Sequence, residues 1–302
     1  MTTCAFSYRP AACLKVEGED AGTFLEGQFS NELRQGAWSV VYGLFLNAKG
    51  KVVADAHVLK LTEKSFLITS YFSPAGVIRQ RLDEFIVADD VALQDLTPQT
   101  LGHSVWGPEC GKVVQQLFQT VPRGAQFVRQ GEVLIYRGRR NREENYELIG
   151  PEPLIGPLRE QLRKLGGGEM DANQAEYRRI AAGIPAIPPD IGPGDLPNEG
   201  RLEEDAVSYT KGCYLGQEVM ARLKNLGQVR RRLCVVQGSG TPPGPGTPLF
   251  QHEIKVGEIR SAATQGGAFL AMAMLSLLNL NQGEGLSLAP GLPPDLRMRA
   301  RE

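Results

Sequence analysis

Across residues 75–86, apolar side chains fall at Val77, Ile78, Leu82, Phe85 and Ile86, the spacing that keeps one face of a helix dry. Ser73-Pro74 just before them reads as an N-cap with proline at the first helical position. Upstream, residues 40–46, 51–61 and 65–72 are rich in β-branched and aromatic side chains and are separated by turn residues, which predicts strands. The Asn47-Ala48-Lys49-Gly50 break is short enough to close a hairpin between the first two. Residues 20–29 set Ala21, Phe24, Leu25 and Gln28 near helical spacing and predict another helix. Successive strands followed by a helix, with short connections, suit antiparallel α+β layers rather than a doubly wound sheet.

Further along, residues 132–136 and 146–149 predict a strand pair around the charged stretch 137–144, whose Arg137, Arg139, Arg140 and Arg142 read as a solvated hairpin tip. Residues 154–165 and 173–182 read as helices. Residues 183–197 carry five prolines and three glycines, so an irregular loop is expected that either connects elements or lines a site. The composition then breaks near residue 228. Beyond it, residues 230–236, 255–263 and 268–275 are strand candidates, with helix competing for the last because Ala, Met and Leu favour it. The expected division is an α+β body over residues 1–228, built as two interleaved domains, and a small C-terminal β-barrel over 229–302.

Charge narrows the function classes only a little. The chain has 302 residues, with 33 Lys+Arg against 34 Asp+Glu, so no general field draws nucleic acid or an anionic membrane. Cys4, Cys13, Cys110, Cys213 and Cys234 are scattered without CxxC spacing, against a disulfide framework and against a zinc site. The apolar run 268–275 is far below the roughly 20 residues that cross a bilayer, and no export signal opens the chain, so a cytoplasmic location is expected. Phosphate-binding loops, HExxH and a GxSxG elbow are absent, and His57 and His103 read as structural histidines.

The densest polar constellation is Lys211-Gly212-Cys213-Tyr214-Leu215-Gly216-Gln217-Glu218. From Gly216 onward Val219, Met220, Leu223 and Leu226 predict a helix that stops at Gly227, with Glu218 and Arg222 pairing across one turn. Cys213 then precedes a helix N-terminus and has a lysine two residues upstream, both of which favour thiolate. The alternative is a buried cysteine that packs as a small hydrophobe.

This stretch resembles the KGC[YF]xGQE signature of the YgfZ family, folate-binding proteins related to the T-protein (aminomethyltransferase) of the glycine cleavage system. Arg179-Ile180-Ala181-Ala182-Gly183-Ile184-Pro185 resembles the family's R-I-x-x-G-I-P segment, and Pro197-Asn198-Glu199 its P-x-E element. Asn47-Ala48-Lys49-Gly50-Lys51 resembles the family's early hairpin, and residues 268–274 its A-L-A-M strand. The resemblance implies an α+β body and a C-terminal β-barrel in a three-part ring around a central folate channel. It implies tetrahydrofolate, or a derivative, as cofactor and a role in maturing or repairing iron–sulfur enzymes through the motif cysteine. The implied partners are folate and transient iron–sulfur clients, with no nucleic acid, no membrane and no resident metal.

On this basis Cys213 and Lys211 are the expected catalytic pair. Asn47, Asp55, Glu199, Tyr214, Gln217, Glu218 and Arg222 are expected around the cofactor. Asp55 either bonds the pteridine or is a solvated strand residue, and Arg230, Arg231 and Arg232 are candidates for the glutamate tail of folate. Two alternatives stay open: a true aminomethyltransferase and a client-binding scaffold without catalysis. Against the transferase, the acidic pair of T-proteins is Ala54-Asp55 here, and their R-L-E-A-G glutamate is Ala181.

Overall fold

In the computed structural model, which describes residues 3–227 and 229–299, the chain enters on β1 (Cys4–Tyr8), β2 (Ala12–Glu17) and α1 (Ala21–Gln28). The expected strands follow as β3 (Val40–Leu46), β4 (Val52–Thr62) and β5 (Ser65–Ser70), then α2 (Ala75–Asp83) and β6 (Ala92–Asp95). Next come β7 (Thr100–Trp106), α3 (Cys110–Phe118), β8 (Phe127–Gln130), β9 (Val133–Arg137) and β10 (Asn145–Pro151). Helices α4 (Glu152–Ile155) and α5 (Leu158–Lys164), the short β11 (Gly168–Glu169), α6 (Ala172–Ala181) and α7 (Gln217–Leu226) complete the body. The last part contains β12 (Arg231–Ser239), β13 (Pro248–Gln251), β14 (Ile254–Gln265), β15 (Ala268–Ser276) and β16 (Arg297–Met298). The boundary expected at residue 228 lies outside the described residues.

Three sheets carry the chain, in the orders β3-β4-β5-β2-β6, β11-β1-β7-β10-β9-β8 and β13-β14-β15-β12-β16. The first two face one another. Cys13, Val40, Leu59 and Leu67 of one meet Phe127, Leu134, Tyr136 and Ile149 of the other in a shared core. Their edges also touch: the Val40 N–H donates to Ala125 O (2.8 Å) and the Phe127 N–H to Trp38 O (2.9 Å). On the outer faces, α1 and α2 cover the first sheet and α3, α4 and α5 the second.

Strand parity then decides what lies between the sheets. On β4, Ala54, Ala56 and Val58 pack toward the helices, whereas Leu59 joins the inter-sheet core. Asp55 and His57 share the parity of Leu59. On β10, Tyr146 and Leu148 face the helices and Ile149 the inter-sheet core, so Glu147 also points inward.

In the terminal sheet, β15 alternates by two: Phe269, Ala271, Ala273 and Leu275 line one core, while Leu270 and Met272 pack on Ile180 of α6. Residues 268–275 are therefore strand, and the competing helical reading is corrected. Bridges Phe250↔Ser287 and Leu286↔Leu296 link the β13 side to the segment entering β16, so the sheet curls toward a barrel.

Two helices differ from expectation. α2 begins one residue late, with Pro74 as its N-cap, because the Ser73 hydroxyl bonds inside the body instead. Val77 and Phe85 lie 39% and 38% exposed, so Ile78 and Leu82 carry the buried face. The helix expected over 154–165 is broken between α4 and α5 at Pro157, which has no N–H to donate.

Candidate functional site

The signature segment is anchored before it reaches the thiol. The Lys211 ammonium is wholly buried and donates to the carbonyls of Glu26 (2.8 Å), Phe29 (2.7 Å) and Asn31 (2.9 Å), with the Glu26 carboxylate at 3.1 Å. Lys211 thus caps the C-terminus of α1, where unpaired carbonyls favour a cation. Its donors are committed to these partners. The Tyr214 ring is buried among Leu44, Leu46, Val52 and Met220, and its hydroxyl finds no partner. It therefore packs the loop against β3 and β4.

Gly216, the N-cap of α7, has φ +89°, and a Cβ there would lie 2.9 Å from Asn47 O. Gly50, with φ +68°, would meet Val219 at 2.8 Å. The hairpin turn and the signature thus dock backbone to backbone, which only glycine allows. Asn47 holds that turn: its Oδ1 accepts from the N–H groups of Lys49 (2.9 Å) and Lys51 (3.1 Å). Gln217 donates to Lys211 O (3.4 Å), and Glu218 pairs with Arg222 on the exposed face of α7, as its spacing predicts. Cys213 is exposed, four residues ahead of the first residue of α7, and the Gln217 N–H is taken by Tyr214 O (3.1 Å).

Glu199 is likewise committed. Its carboxylate accepts from Leu196 N (2.8 Å) and from both Nε (3.0 Å) and Nη2 (3.1 Å) of Arg231. Arg231 also reaches Asp195 (3.0 Å), so Glu199 and Arg231 clamp the loop 183–197 to the terminal sheet.

Asp55 is neither solvated nor alone. It accepts hydroxyl bonds from Tyr42 (3.0 Å), Ser70 (2.9 Å) and Ser73 (2.7 Å). Burial pushes its carboxyl above the usual range. Across the inter-sheet layer Glu147, fully buried, accepts from Tyr8 (2.7 Å), Tyr71 (2.9 Å) and Ser104 (2.7 Å), and burial raises its pKa too. The arginines expected at a solvated tip divide. Arg139 stacks on Tyr42 (4.1 Å to the centroid) and grips Asp205 with two bonds of 2.9 and 3.1 Å. Arg140 is buried, 4.0 Å from the Tyr71 centroid and 4.2 Å from that of Tyr8. The solvated-tip expectation is corrected for both, because aromatic faces from both sheets draw the guanidinium groups inward.

Tyr42, Asp55, Tyr71, Phe72, Arg139 and Arg140 are among the residues around a cavity of about 10 Å³, room for one water. Sequence reading missed Tyr71, Ser104 and Glu147. The available signal was Glu147, an acid at a strand position flanked by Tyr146, Leu148 and Ile149.

His57 sits in the same layer against Tyr42, Tyr71 and Tyr136. Burial, helped by Arg139 and Arg140, depresses its imidazole from 6.5 to about 3. Between those values the unfolded chain binds a proton that the folded one refuses, so stability is lost as pH falls through that window. In urea titrations at about pH 7 and about pH 5, His57→Gln should lose about 2 kcal/mol less than wild type. Equal acid sensitivity of the two proteins would contradict this placement of the imidazole.

Residues 6–136 match the GCVT N-terminal domain, and residues 230–294 match the CAF17 C-terminal beta-barrel domain. The chain is 30% identical over 261 residues to the mitochondrial iron-sulfur cluster assembly factor IBA57 of Mus musculus, covering 81% of this chain and 68% of that one. The Homo sapiens protein of the same name is 29% identical over 307 residues (91% and 80% covered). The tRNA-modifying protein YgfZ of Colwellia psychrerythraea is 26% identical over 245 residues (80% and 74%). Among solved structures, the glycine cleavage system aminomethyltransferase T of Bartonella henselae superposes with a TM-score of 0.79 at 18% identity, over 94% of this chain and 81% of that one, which shows a shared fold. Sheet order, terminal barrel, signature and these similarities agree: the chain belongs to the family of the YgfZ proteins and the IBA57 iron–sulfur cluster assembly factors.

Proposed function

We propose that this protein assists the assembly of iron–sulfur clusters on client enzymes, with Cys213 as the group that meets cluster or client. The observation that carries this reading is a thiol held in the open on a loop locked from both sides. Lys211 is fixed in the C-terminus of α1, Tyr214 is buried, and Cys213 between them is exposed. By contrast, Cys13 and Cys110 are buried, and burial pushes both thiols up to about 11. Among the described residues no group of three or more His, Cys, Asp or Glu gathers as if to hold a metal ion. A cluster ligated at Cys213 would draw its other ligands from beyond the described residues, which suits transfer over storage.

Tetrahydrofolate suits the interior in chemistry but not in volume. A buried carboxyl at Asp55 and the flat faces of Tyr42, Tyr71 and Phe72 match an aminopyrimidine ring, yet ligand pockets usually run to about 300–1,000 Å³. The cavity beside Asp55 measures about 10 Å³, far below that range. The aminomethyltransferase alternative is disfavoured by Ala54, fully buried against α1 and α2 where T-proteins carry a second acid.

The test is complementation of a host that lacks its own factor of this family, reading the activity of an iron–sulfur enzyme. Cys213→Ser should accumulate to the wild-type level with an unchanged melting temperature and give activity no higher than an empty vector. Full rescue by Cys213→Ser would refute the role of the thiol and favour the client-binding scaffold.

A further inference from the structure

The inward-facing rows of the first two sheets change character toward the end remote from Asp55. On β2, Cys13 lies in the shared core, and Lys15 and Glu17 continue its parity. Arg129 continues the parity of Phe127 on β8, and Glu132 that of Leu134 on β9. Charged side chains at the ends of these rows resist burial, so the layer opens there instead of closing. The opening is a cleft of about 750 Å³ floored by the edge of the core itself, where Leu61 and Leu96 are only partly buried. Protein interiors are close-packed, and this volume falls in the range of ligand pockets, about 300–1,000 Å³. Leu61 stands six residues beyond Asp55 on β4, roughly 20 Å along the strand. The cleft and the cavity beside Asp55 share no lining residue.

The charges on the walls are unequally satisfied. Lys15 pairs with Glu17 (2.8 Å) and Lys64 with Glu19 (2.5 Å), while Asp90 accepts from the Glu19 N–H (3.2 Å). Arg129 donates its Nε to Gly131 O (2.7 Å), which leaves both Nη groups over. Among the described residues the Glu132 carboxylate has neither a hydrogen bond nor an ion pair, and none joins it to Arg129. Arg129 is paired with Leu134 across the β8–β9 hairpin. Glu132, two residues before Leu134, is therefore its diagonal neighbour on the same face, about 7–8 Å away. An unpaired cation and an unpaired anion thus stand side by side over an apolar floor.

We propose that this cleft binds an α-amino acid with a large apolar side chain, its carboxylate on Arg129, its ammonium on Glu132 and its side chain on Leu61, Leu67, Leu96 and Leu134. Such a molecule carries opposite charges on one carbon and an apolar body beside them, the same arrangement as the wall and the floor. The two free Nη groups of Arg129 offer a carboxylate a pair of charge-assisted bonds. The site is separate from the Cys213 loop, and its readout is ligand affinity, not cluster assembly.

The experiment is calorimetric titration of the full-length protein with L-leucine, L-alanine, 4-methylpentanoate and 3-methylbutylamine, the last two being leucine without its ammonium and without its carboxylate. Leucine should bind about 10- to 50-fold more tightly than alanine, the worth of its three extra carbons on the floor. It should also exceed each singly charged analogue by about 10-fold. Arg129→Gln should lose about 10-fold for leucine and leave 3-methylbutylamine unchanged, and Glu132→Gln should lose as much and leave 4-methylpentanoate unchanged. Both residues are exposed, so neither substitution disturbs the core. Absence of saturable leucine binding below about 10 mM overturns the proposal. So does wild-type leucine affinity in either variant, or an analogue that binds as tightly as leucine.

Discussion

Arg179→Ala should lose about 3–5 kcal/mol of folding stability, because it strips the counterion from a carboxylate that has no access to water. The Arg179 and Asp190 side chains are 2% and 0% exposed and meet at 2.6 Å. Arg179 also reaches Glu176, the Ser261 hydroxyl and Ile184 O, so one guanidinium joins α6, the loop 183–197 and β14. Asp190 completes the knot by accepting from Ala186 N (2.8 Å) and Ser261 Oγ (2.6 Å). Replacing the arginine leaves the buried charge in place without its partner, which costs more than the pair itself contributes. Urea denaturation of the two proteins measures the loss, and the double variant Arg179→Met with Asp190→Ala should recover part of it. A loss below about 1 kcal/mol for Arg179→Ala, the range of exposed pairs, would show that the pair is solvated.

Lys211→Met should cost about 3 kcal/mol, and its effect should reach the thiol. The substitution keeps the length of the stem and removes the ammonium from three carbonyls and from Glu26, whose side chain is 9% exposed. Glu26 retains the Leu33 N–H (2.9 Å) and Arg34 (3.5 Å) but loses the ammonium, and the last turn of α1 loses its cation. Since Lys211 fixes the loop two residues before Cys213, the variant should also speed labelling of the loop amides in hydrogen exchange around residues 208–216. A variant with wild-type urea midpoint and wild-type exchange would mean that the ammonium does not hold the loop. Such a result would return Lys211 to the catalytic role expected from its place in the signature.

Much of the fold is legible in local pattern. Residues 40–46 are a strand by composition and by pairing, and α7 ends at Gly227 in the left-handed conformation that its glycine permits. The Glu218–Arg222 pair forms because i,i+4 neighbours meet on any helix. The signature itself is legible as a constellation, since its residues are adjacent. Their roles are not. Lys211 and Cys213 are two residues apart, but one side chain turns into the carbonyls of residues 26–31 and the other into solvent.

The type of most elements, the hairpin turn at Asn47 and the glycine positions of the signature follow from sequence alone, because backbone sterics and side-chain period act within a few residues, whereas residues 268–275 become strand only by pairing with β12 and β14. Family membership follows from the same short-range order. Which polar side chains are buried together is a tertiary outcome. Parity puts Asp55 and His57 on one face of β4, but whether that face meets water or a second sheet depends on partners such as the Tyr8–Glu147 bond, which spans 139 residues. Arg140 follows the same rule: an arginine beside a strand pair is solvated unless distant aromatic rings converge on it. That convergence exists only after two sheets have closed face to face.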